Sequence, residues 1–113
     1  GDRALSVVEA FRMRVTFHPE ARSEFLEATL WYEERSAKAG DGFVKAMRLA
    51  LAAIGADPFR YQTLQSNIRV FRLRKYPFRI YYDISESLEE VRILAVMHEK
   101  KRPDYWRKRI SNE

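Results

Sequence analysis

The sequence predicts an α+β fold in which a helical hairpin packs on a small, mainly antiparallel sheet, in the order β-α-α-β-β-β. Between residues 19 and 56 the apolar residues recur every three or four positions, which is typical of helices. Before that segment and after residue 67 they alternate or run continuously, which is typical of strands. The 113 residues, of which 46% are hydrophobic, are enough for one domain with its own core.

The first strand leads directly into the first helix. Val15 and Phe17 share one face of a predicted strand over residues 13–18. Pro19 suits the first turn of a helix, and the glutamates that follow it favour the positive end of the helix dipole. The helix runs to about residue 35 and has a stripe of apolar residues, namely Ala21, Phe25, Ala28 and Tyr32.

The second helix is predicted to run antiparallel to the first. Gly40 and Gly42 interrupt the helical spacing, so the segment Ser36–Gly42 is predicted to be a turn. The spacing then resumes until Asp57 and Pro58 end the helix. Its apolar stripe consists of Phe43, Met47, Ala50, Leu51 and Ile54. Two such stripes joined by a short polar turn indicate a helical hairpin.

Three strands follow a loop that reaches residue 67. The first is Ile68–Arg74, and the turn Lys75–Pro77 connects it to the second, Phe78–Asp83. After a polar turn, Val91–Met97 is almost continuously apolar, as a central strand would be. A basic tail with two aromatic residues completes the chain.

The segment Gly1–Arg12 differs from the rest of the chain. Because Met13 resembles an ordinary start residue, these twelve residues are either a native extension or an appended piece, and residues 13–113 are predicted to form the single domain. The segment lacks the basic and then continuously apolar pattern of a secretory signal. The longest uncharged apolar stretch, Leu49–Ala56, is too short to span a membrane.

Several classes of enzyme are excluded by the residues themselves. The chain contains no cysteine, which rules out disulfides, thiol nucleophiles and cysteine-ligated metals. Its two histidines, His18 and His98, do not form a zinc-binding helix motif. Glycine-rich phosphate loops, dinucleotide fingerprints and serine elbows are also missing from the sequence. We therefore expect neither a metal nor a cofactor.

The positive charge is confined to the second half of the chain. Residues 1–60 contain 9 basic and 9 acidic side chains, whereas residues 61–113 contain 12 and 7, so the whole excess of +5 lies there. This distribution predicts a surface for an anionic partner, which could be RNA, DNA or an acidic protein segment.

Arginines are concentrated in the predicted hairpin between residues 68 and 82. Alternation places Arg72 and Arg74 on one face of the first strand and Arg69 on the other, and the hairpin brings Arg79 alongside. Guanidinium groups together with Tyr81 have the chemistry for binding phosphates and stacking on bases. The alternative is that these arginines form a solvated sheet face, paired with glutamates.

A second basic cluster begins at His98, where the last strand ends. His98 is suited to general acid or base chemistry, and Tyr105 could carry a second proton. Alternatively, His98 is a strand-end residue bonded to the tail, while Tyr105 and Trp106 are aromatic anchors. The basic residues assigned to this cluster as contacts for a target are Lys101, Arg102 and Arg107.

Seven segments together resemble the ParE/RelE superfamily of type II toxins, also called plasmid stabilisation proteins, and more closely its ParE-like branch. They span about residues 13–109 and are fairly specific in this order and spacing. The segments are Val15–Ala21, Leu30–Glu34, Asp57–Tyr61, Ile68–Phe71, Tyr76–Tyr82, Ile93–His98 and Arg102–Trp106.

The resemblance implies a small cytoplasmic bacterial toxin held inactive by a cognate antitoxin. In the superfamily the antitoxin wraps the toxin with a helix and a strand, packing on the hairpin and the sheet edge. RelE-like members cut mRNA in the ribosomal A site, whereas ParE-like members block DNA gyrase without cleavage chemistry. The resemblance also implies the RelE/ParE-like fold, which agrees with the order of elements predicted above.

Residue by residue, the resemblance favours the ParE-like branch. Arg79 matches the arginine that RelE-like toxins place against the scissile phosphate, and Tyr105 falls near their C-terminal tyrosine. However, Met97, His98 and Glu99 stand where RelE-like chains carry adjacent basic residues. The leading hypothesis is therefore a toxin that acts on DNA gyrase. The alternatives are a ribosome-dependent mRNA endonuclease and an inactive module that retains only antitoxin binding.

The two hypotheses about activity use overlapping residues. A RelE-like endonuclease would use Arg79, His98 and Tyr105 as catalytic residues. The predicted contacts with the target are Arg69, Arg72, Arg74, Arg79, Tyr81, Lys101, Arg102, Trp106 and Arg107.

Overall fold

The computed structural model describes residues 12–101 and 105–110, so the predictions about residues 1–11 and Arg102 lie outside the described residues. The two long helices are α1 (Pro19–Arg35) and α2 (Ala37–Ala56). The described strands are β1 (Arg14–Phe17), β2 (Gln62–Gln65), β3 (Ile68–Arg72), β4 (Phe78–Ser85) and β5 (Glu90–His98). Short 3₁₀-helices occupy Pro58–Arg60 and Tyr105–Arg109.

The strands form one sheet in the order β1-β5-β4-β3-β2. Strand β1 runs parallel to β5, and every other neighbouring pair is antiparallel. The predicted α+β class and mainly antiparallel sheet are confirmed. The sequence analysis assigned residues 62–65 to a loop, whereas they form strand β2, all four of whose residues are exposed. It forms by pairing with β3 at the edge of the sheet.

The turn between the helices is one residue long, so the prediction of a turn over residues 36–42 is wrong. Ser36 ends α1 and caps α2, because its side-chain oxygen accepts a hydrogen bond from the Ala39 amide at 3.0 Å. Gly40 lies inside α2, where a Cβ would come within 2.2 Å of the Glu33 side chain. Glycine at this position allows the two helices to approach closely rather than ending one of them.

The main core lies between the helical hairpin and one face of the sheet, which we call the inner face. Phe43 of α2 stacks on Tyr32 of α1 with ring centroids 4.9 Å apart, and Phe78 of β4 lies 5.3 Å from Phe43. Tyr82 is fully buried, and its hydroxyl donates a 2.6 Å hydrogen bond to the Pro58 carbonyl. Burial raises the pKa of Tyr82 far above its usual range, so the phenol stays neutral.

A smaller core covers the opposite face of the sheet, the outer face. The indole of Trp106 stacks on Tyr81 at a centroid distance of 5.6 Å. The pairing of β4 and β5 shifts register at Tyr81 and Tyr82, and this bulge places both Leu94 and Ala95 on the outer face. The cluster consists of Ile68, Val70, Tyr81, Leu94, Ala95, Met97 and Trp106. The short helix that contains Trp106 therefore closes this face of the sheet.

Arg109 fastens that short helix to α1. Its guanidinium binds both oxygens of Glu24, at 2.7 and 2.9 Å, and its Nε lies 2.8 Å from Glu20. It also donates to the Leu94 carbonyl at 3.0 Å, while Glu24 accepts the Val96 amide at 3.0 Å. These side chains occupy backbone groups of β5 beyond the end of its pairing with β1.

Candidate functional site

Two arginines lie opposite each other at the hairpin end of the outer face, and a third follows β3 in the chain. Arg72 on β3 and Arg79 on β4 are directly opposite each other in the antiparallel register. Val70 and Tyr81, two residues further along the same strands, belong to the outer cluster, so both arginines point to this face. Arg74 is exposed just after β3 ends. We call Arg72, Arg74 and Arg79 the arginine cluster.

Among the residues that the structure describes, the arginine cluster differs from the other arginines of the sheet in having no hydrogen-bonding or ion-pair partner. Arg14 pairs with Glu90 at 3.3 Å, and Arg92 pairs with Asp83 at 3.1 Å across the opposite end of the outer face. Within the described residues, no hydrogen bond or ion pair joins a side chain of the arginine cluster to another group. Like charges directly opposite each other destabilise a sheet, so these positions are suited to binding an anion.

Glu90 illustrates what a paired position looks like in this sheet. Thr16 donates a hydrogen bond to its carboxylate, and Arg14 contributes a second one. The hydrogen bond from Thr16, with help from Arg14, lowers the pKa of Glu90 although partial desolvation opposes the shift. The paired ends of β1 and β5 therefore hold their charges in a fixed arrangement.

Arg69, predicted to contact a target, instead holds the chain that leaves α2. Its guanidinium donates to the carbonyl oxygens of Phe59 at 2.9 Å and Tyr61 at 2.7 Å. The sequence placed it on the face opposite to Arg72, and the structure agrees. Its hydrogen bonds explain why an arginine occupies this half-buried position.

Two aromatic residues predicted to contact a target are buried. Tyr81 is 3% exposed and Trp106 is 2% exposed, because each covers the other on the outer face. Neither side chain is accessible to a target while the C-terminal 3₁₀-helix is in place. Arg107, also predicted as a contact, is exposed, and its Nη2 donates to Gln65 of β2 at 3.1 Å. Lys101 is exposed near the end of β5.

Arg79 and His98 do not lie on the same face of the sheet. His98 is opposite Phe78, whose ring packs against the inner core 5.3 Å from the imidazole, whereas Arg79 is opposite Met97. Successive residues of a strand point to opposite faces, so the two proposed catalytic groups are separated by the sheet. The Nδ1 atom of His98 accepts a hydrogen bond from the Lys100 amide at 3.1 Å. The side chain of Tyr105 lies outside the described residues.

The sequence analysis missed a groove of about 270 Å³ between α1 and the end of β5. Trp31 and Tyr32 form the helical wall, and Phe78, Val96 and His98 form part of the sheet wall. Burial raises the pKa of Tyr32, with Tyr76 adding to the shift and Arg35 opposing it. Trp31 was a usable signal, because it lies outside the apolar stripe of α1 and yet is a large aromatic residue.

Between residues 12 and 101 and from 105 to 110, no three acidic or histidine side chains come together as a metal ion would require. Over the same residues, neither long helix is apolar enough to cross a lipid bilayer.

Comparison with solved structures identifies the class of fold. The chain is similar to one in the crystal structure of the toxin–antitoxin complex RelBE2 from Mycobacterium tuberculosis, with a TM-score of 0.53. The identity is 18%, and the match covers 77% of this chain and 91% of that one. The fold is therefore that of the RelE/ParE-like toxins, as predicted.

Comparison with protein families identifies the family. The family model described as ParE toxin of type II toxin–antitoxin system, parDE, matches residues 15–103. The chain belongs to this family of toxins. No curated protein matches the chain in sequence.

Proposed function

We propose that this chain is the toxin of a type II toxin–antitoxin module and that it acts on DNA gyrase through its arginine cluster. Membership of the ParE toxin family supports a toxin, and the sequence resemblance to the ParE-like branch supports gyrase as its target. The observation that carries the choice of surface is that Arg72 lies directly opposite Arg79 and that neither side chain has a partner in the described part of the chain.

The separation of Arg79 from His98 favours binding over RNA cleavage. General acid–base catalysis requires the proton carrier to lie within hydrogen-bonding reach of the reacting group, which a phosphate-binding Arg79 would hold on the outer face. Here the sheet stands between these two side chains. A toxin that blocks its target by binding needs no such constellation.

A cognate antitoxin is the second part of the proposal. The similar chain of known structure comes from a toxin–antitoxin complex. Because the positive charge of this chain lies in its second half, an acidic antitoxin segment would be attracted to it. An antitoxin as partner and DNA gyrase as target would both place the protein in the cytoplasm.

The test of the target is inhibition of purified gyrase. The free wild-type chain should inhibit supercoiling at micromolar concentration. The double substitution Arg72→Ala and Arg79→Ala should weaken inhibition about 10-fold or more, because two charge-assisted contacts are lost. Arg48→Ala removes one exposed positive charge from α2 and should leave inhibition unchanged.

Three outcomes would contradict parts of this proposal. Failure of the wild-type chain to inhibit gyrase would exclude that target. Cleavage of mRNA in a translation extract, lost on Arg79→Ala, would support the ribosome-dependent endonuclease instead. Normal growth of cells that produce the folded chain without antitoxin would indicate an inactive module.

A further inference from the structure

The segment that carries the arginine cluster contains no acidic residue. From residue 58 to residue 82, which takes in β2, β3 and the start of β4, the chain has six basic side chains and no aspartate or glutamate. The basic residues are Arg60, Arg69, Arg72, Arg74, Lys75 and Arg79. Arg74 and Lys75 are exposed in the connection between β3 and β4, next to the arginines of the two strands. The hairpin end of the sheet is therefore strongly positive and is suited to a polyanion.

The connection between β3 and β4 holds these side chains in place. The Leu73 amide donates a hydrogen bond to the Phe78 carbonyl at 3.1 Å, and the Phe78 amide donates to the Tyr76 carbonyl at 2.8 Å. Leu73 is buried in the main core, so the backbone between the exposed Arg72 and Arg74 is anchored. A charged surface on a fixed backbone loses less conformational entropy on binding than one on a free loop.

The strands that carry the arginine cluster offer no exposed apolar anchor to a protein partner. Within the described residues, the large apolar side chains that are exposed lie on the two helices, in or near β2, and in the turn between β4 and β5. They are Leu26, Leu30, Trp31, Leu49, Phe59, Leu64 and Leu88. The centre of a protein interface is apolar and depleted of charge, whereas nucleic-acid interfaces are polar and strongly positive. The composition of this surface favours a nucleic acid.

The aromatic residues of the outer face are not available to stack on bases. Tyr81 lies two residues along β4 from Arg79 on the same face, but the indole of Trp106 covers it. Binding of a single strand depends on exposed rings, because unpaired bases stack on them. A duplex keeps its bases stacked inside and presents phosphates, which arginine binds through two parallel hydrogen bonds. The surface therefore matches a duplex better than a single strand.

We propose that the arginine cluster binds the phosphate backbone of double-stranded DNA. This inference rests on the proposed action on gyrase, and it names the DNA that gyrase holds as the part of the complex that the cluster contacts. Contacts with phosphates carry no sequence information, so the binding should be independent of base sequence and strongly salt-dependent. For the free chain at physiological salt, we expect a dissociation constant of about 1–100 μM, as is typical of non-specific DNA binding.

The test measures binding of the full chain to a short fluorescent DNA duplex by anisotropy, at several salt concentrations. The double substitution Arg72→Ala and Arg79→Ala removes two phosphate contacts. The slope of log K against log salt concentration should therefore become shallower by about 2, and binding at low salt should weaken about 10-fold or more. The matched control is Lys45→Ala with Arg48→Ala, which removes two exposed positive charges from α2 and should leave the slope unchanged.

A single substitution supplies an independent variant should the double variant fail to fold. Arg72→Gln relieves the repulsion from Arg79 across the strands, so it should not impair folding, and it should make the slope shallower by about 1. Single-stranded RNA of the same length should bind more weakly than the duplex.

Each contrary result separates the DNA contact from the gyrase proposal. Tighter binding of the RNA, absence of duplex binding at low salt, or an equal loss in the control would overturn the DNA contact. If the wild type still inhibits supercoiling in any of these cases, gyrase remains the target and only the DNA contact is wrong. If the chain binds the duplex through the arginine cluster but does not inhibit supercoiling, the gyrase proposal fails and the DNA-binding surface stands.

Discussion

At the scale of single residues, Arg109 and Glu24 perform a task that usually falls to a neighbouring strand. Beyond Ile93 no strand from the described residues lies beside β5 on that edge, and unpaired buried backbone groups are costly. Glu24 accepts the Val96 amide and Arg109 donates to the Leu94 carbonyl, while their charges neutralise each other. The side chain of Arg109 is only 4% exposed, so this ion pair is shielded from water and salt.

Removing Arg109 should therefore be strongly destabilising. Arg109→Ala leaves the partly buried Glu24 carboxylate without its charged partner, and breaking a buried pair typically costs about 3–5 kcal/mol. The expected result is a drop of that order in the free energy of unfolding, measured by urea denaturation. Trp106, carried by the same short helix, should become more exposed, which tryptophan fluorescence would detect.

The control for this prediction is a neighbouring arginine of the same short helix. Arg107 is exposed, donates a hydrogen bond to Gln65 and lies 5.8 Å from the centroid of the Trp106 ring, so Arg107→Ala should change stability by no more than about 1 kcal/mol. Equal effects of the two substitutions would show that the ion pair of Arg109 with Glu24 does not stabilise the fold.

The sequence did not distinguish these two arginines. Arg107 and Arg109 occur in one basic run, and only the fold determines that one meets Glu20 and Glu24 while the other faces solvent. The glutamates were correctly predicted to lie at the start of α1. Their partner could not be predicted, because it is 85 residues further along the chain from Glu24.

At the scale of elements, local spacing predicted the helices and most strands. The stripes of α1 and α2, the start at Pro19 and the end before Asp57 all agree with the structure. Strand β2 was missed because its stability depends on pairing with β3 rather than on its own residues. The bulge in β5 was missed for a similar reason, since a continuous apolar run gives no sign of where alternation shifts.

The junction of the two helices offers a prediction about packing. Gly40→Ala would gain helix propensity of about 1 kcal/mol, but the new Cβ would lie 3.2 Å from the Glu33 Cα and closer still to its side chain. The exposed Glu33 side chain can move, whereas the backbone of α1 can yield only if the helices separate. We expect a net loss of about 1 kcal/mol in thermal or urea unfolding, because overpacking costs more than the propensity gains.

Gly42→Ala is the matched control, because it makes the same change two residues later in α2. Its new Cβ would lie 2.9 Å from the Tyr76 hydroxyl oxygen, the end of a side chain rather than backbone. This variant should be neutral or slightly more stable than the wild type. Equal losses from both substitutions would contradict the view that close approach of the helices explains Gly40.

At the scale of the whole molecule, the outer face of the sheet has two contrasting ends. One end carries Asp83 opposite Arg92, an ordinary cross-strand pair of opposite charges. The other carries Arg72 opposite Arg79, two like charges within the half of the chain that holds its entire positive excess. Stability of the fold alone would favour a cross-strand pair of opposite charges at both ends. Two like charges opposite each other are accounted for if the arginines bind a partner.

This contrast predicts that function and stability change in opposite directions. Arg72→Gln should raise the free energy of unfolding by a few tenths of a kcal/mol, because it removes cross-strand repulsion, while weakening gyrase inhibition. The gain should shrink between low and high salt, since added ions screen exposed charges. Arg92→Gln makes the same substitution where a partner is present, so it should lower stability and leave gyrase inhibition unchanged.

The free energy of unfolding of both variants, measured at two salt concentrations, tests whether the arginine cluster costs stability. A loss of stability for Arg72→Gln as large as that for Arg92→Gln would mean that the arginine cluster is structural, and the surface proposed for the target would have to be abandoned.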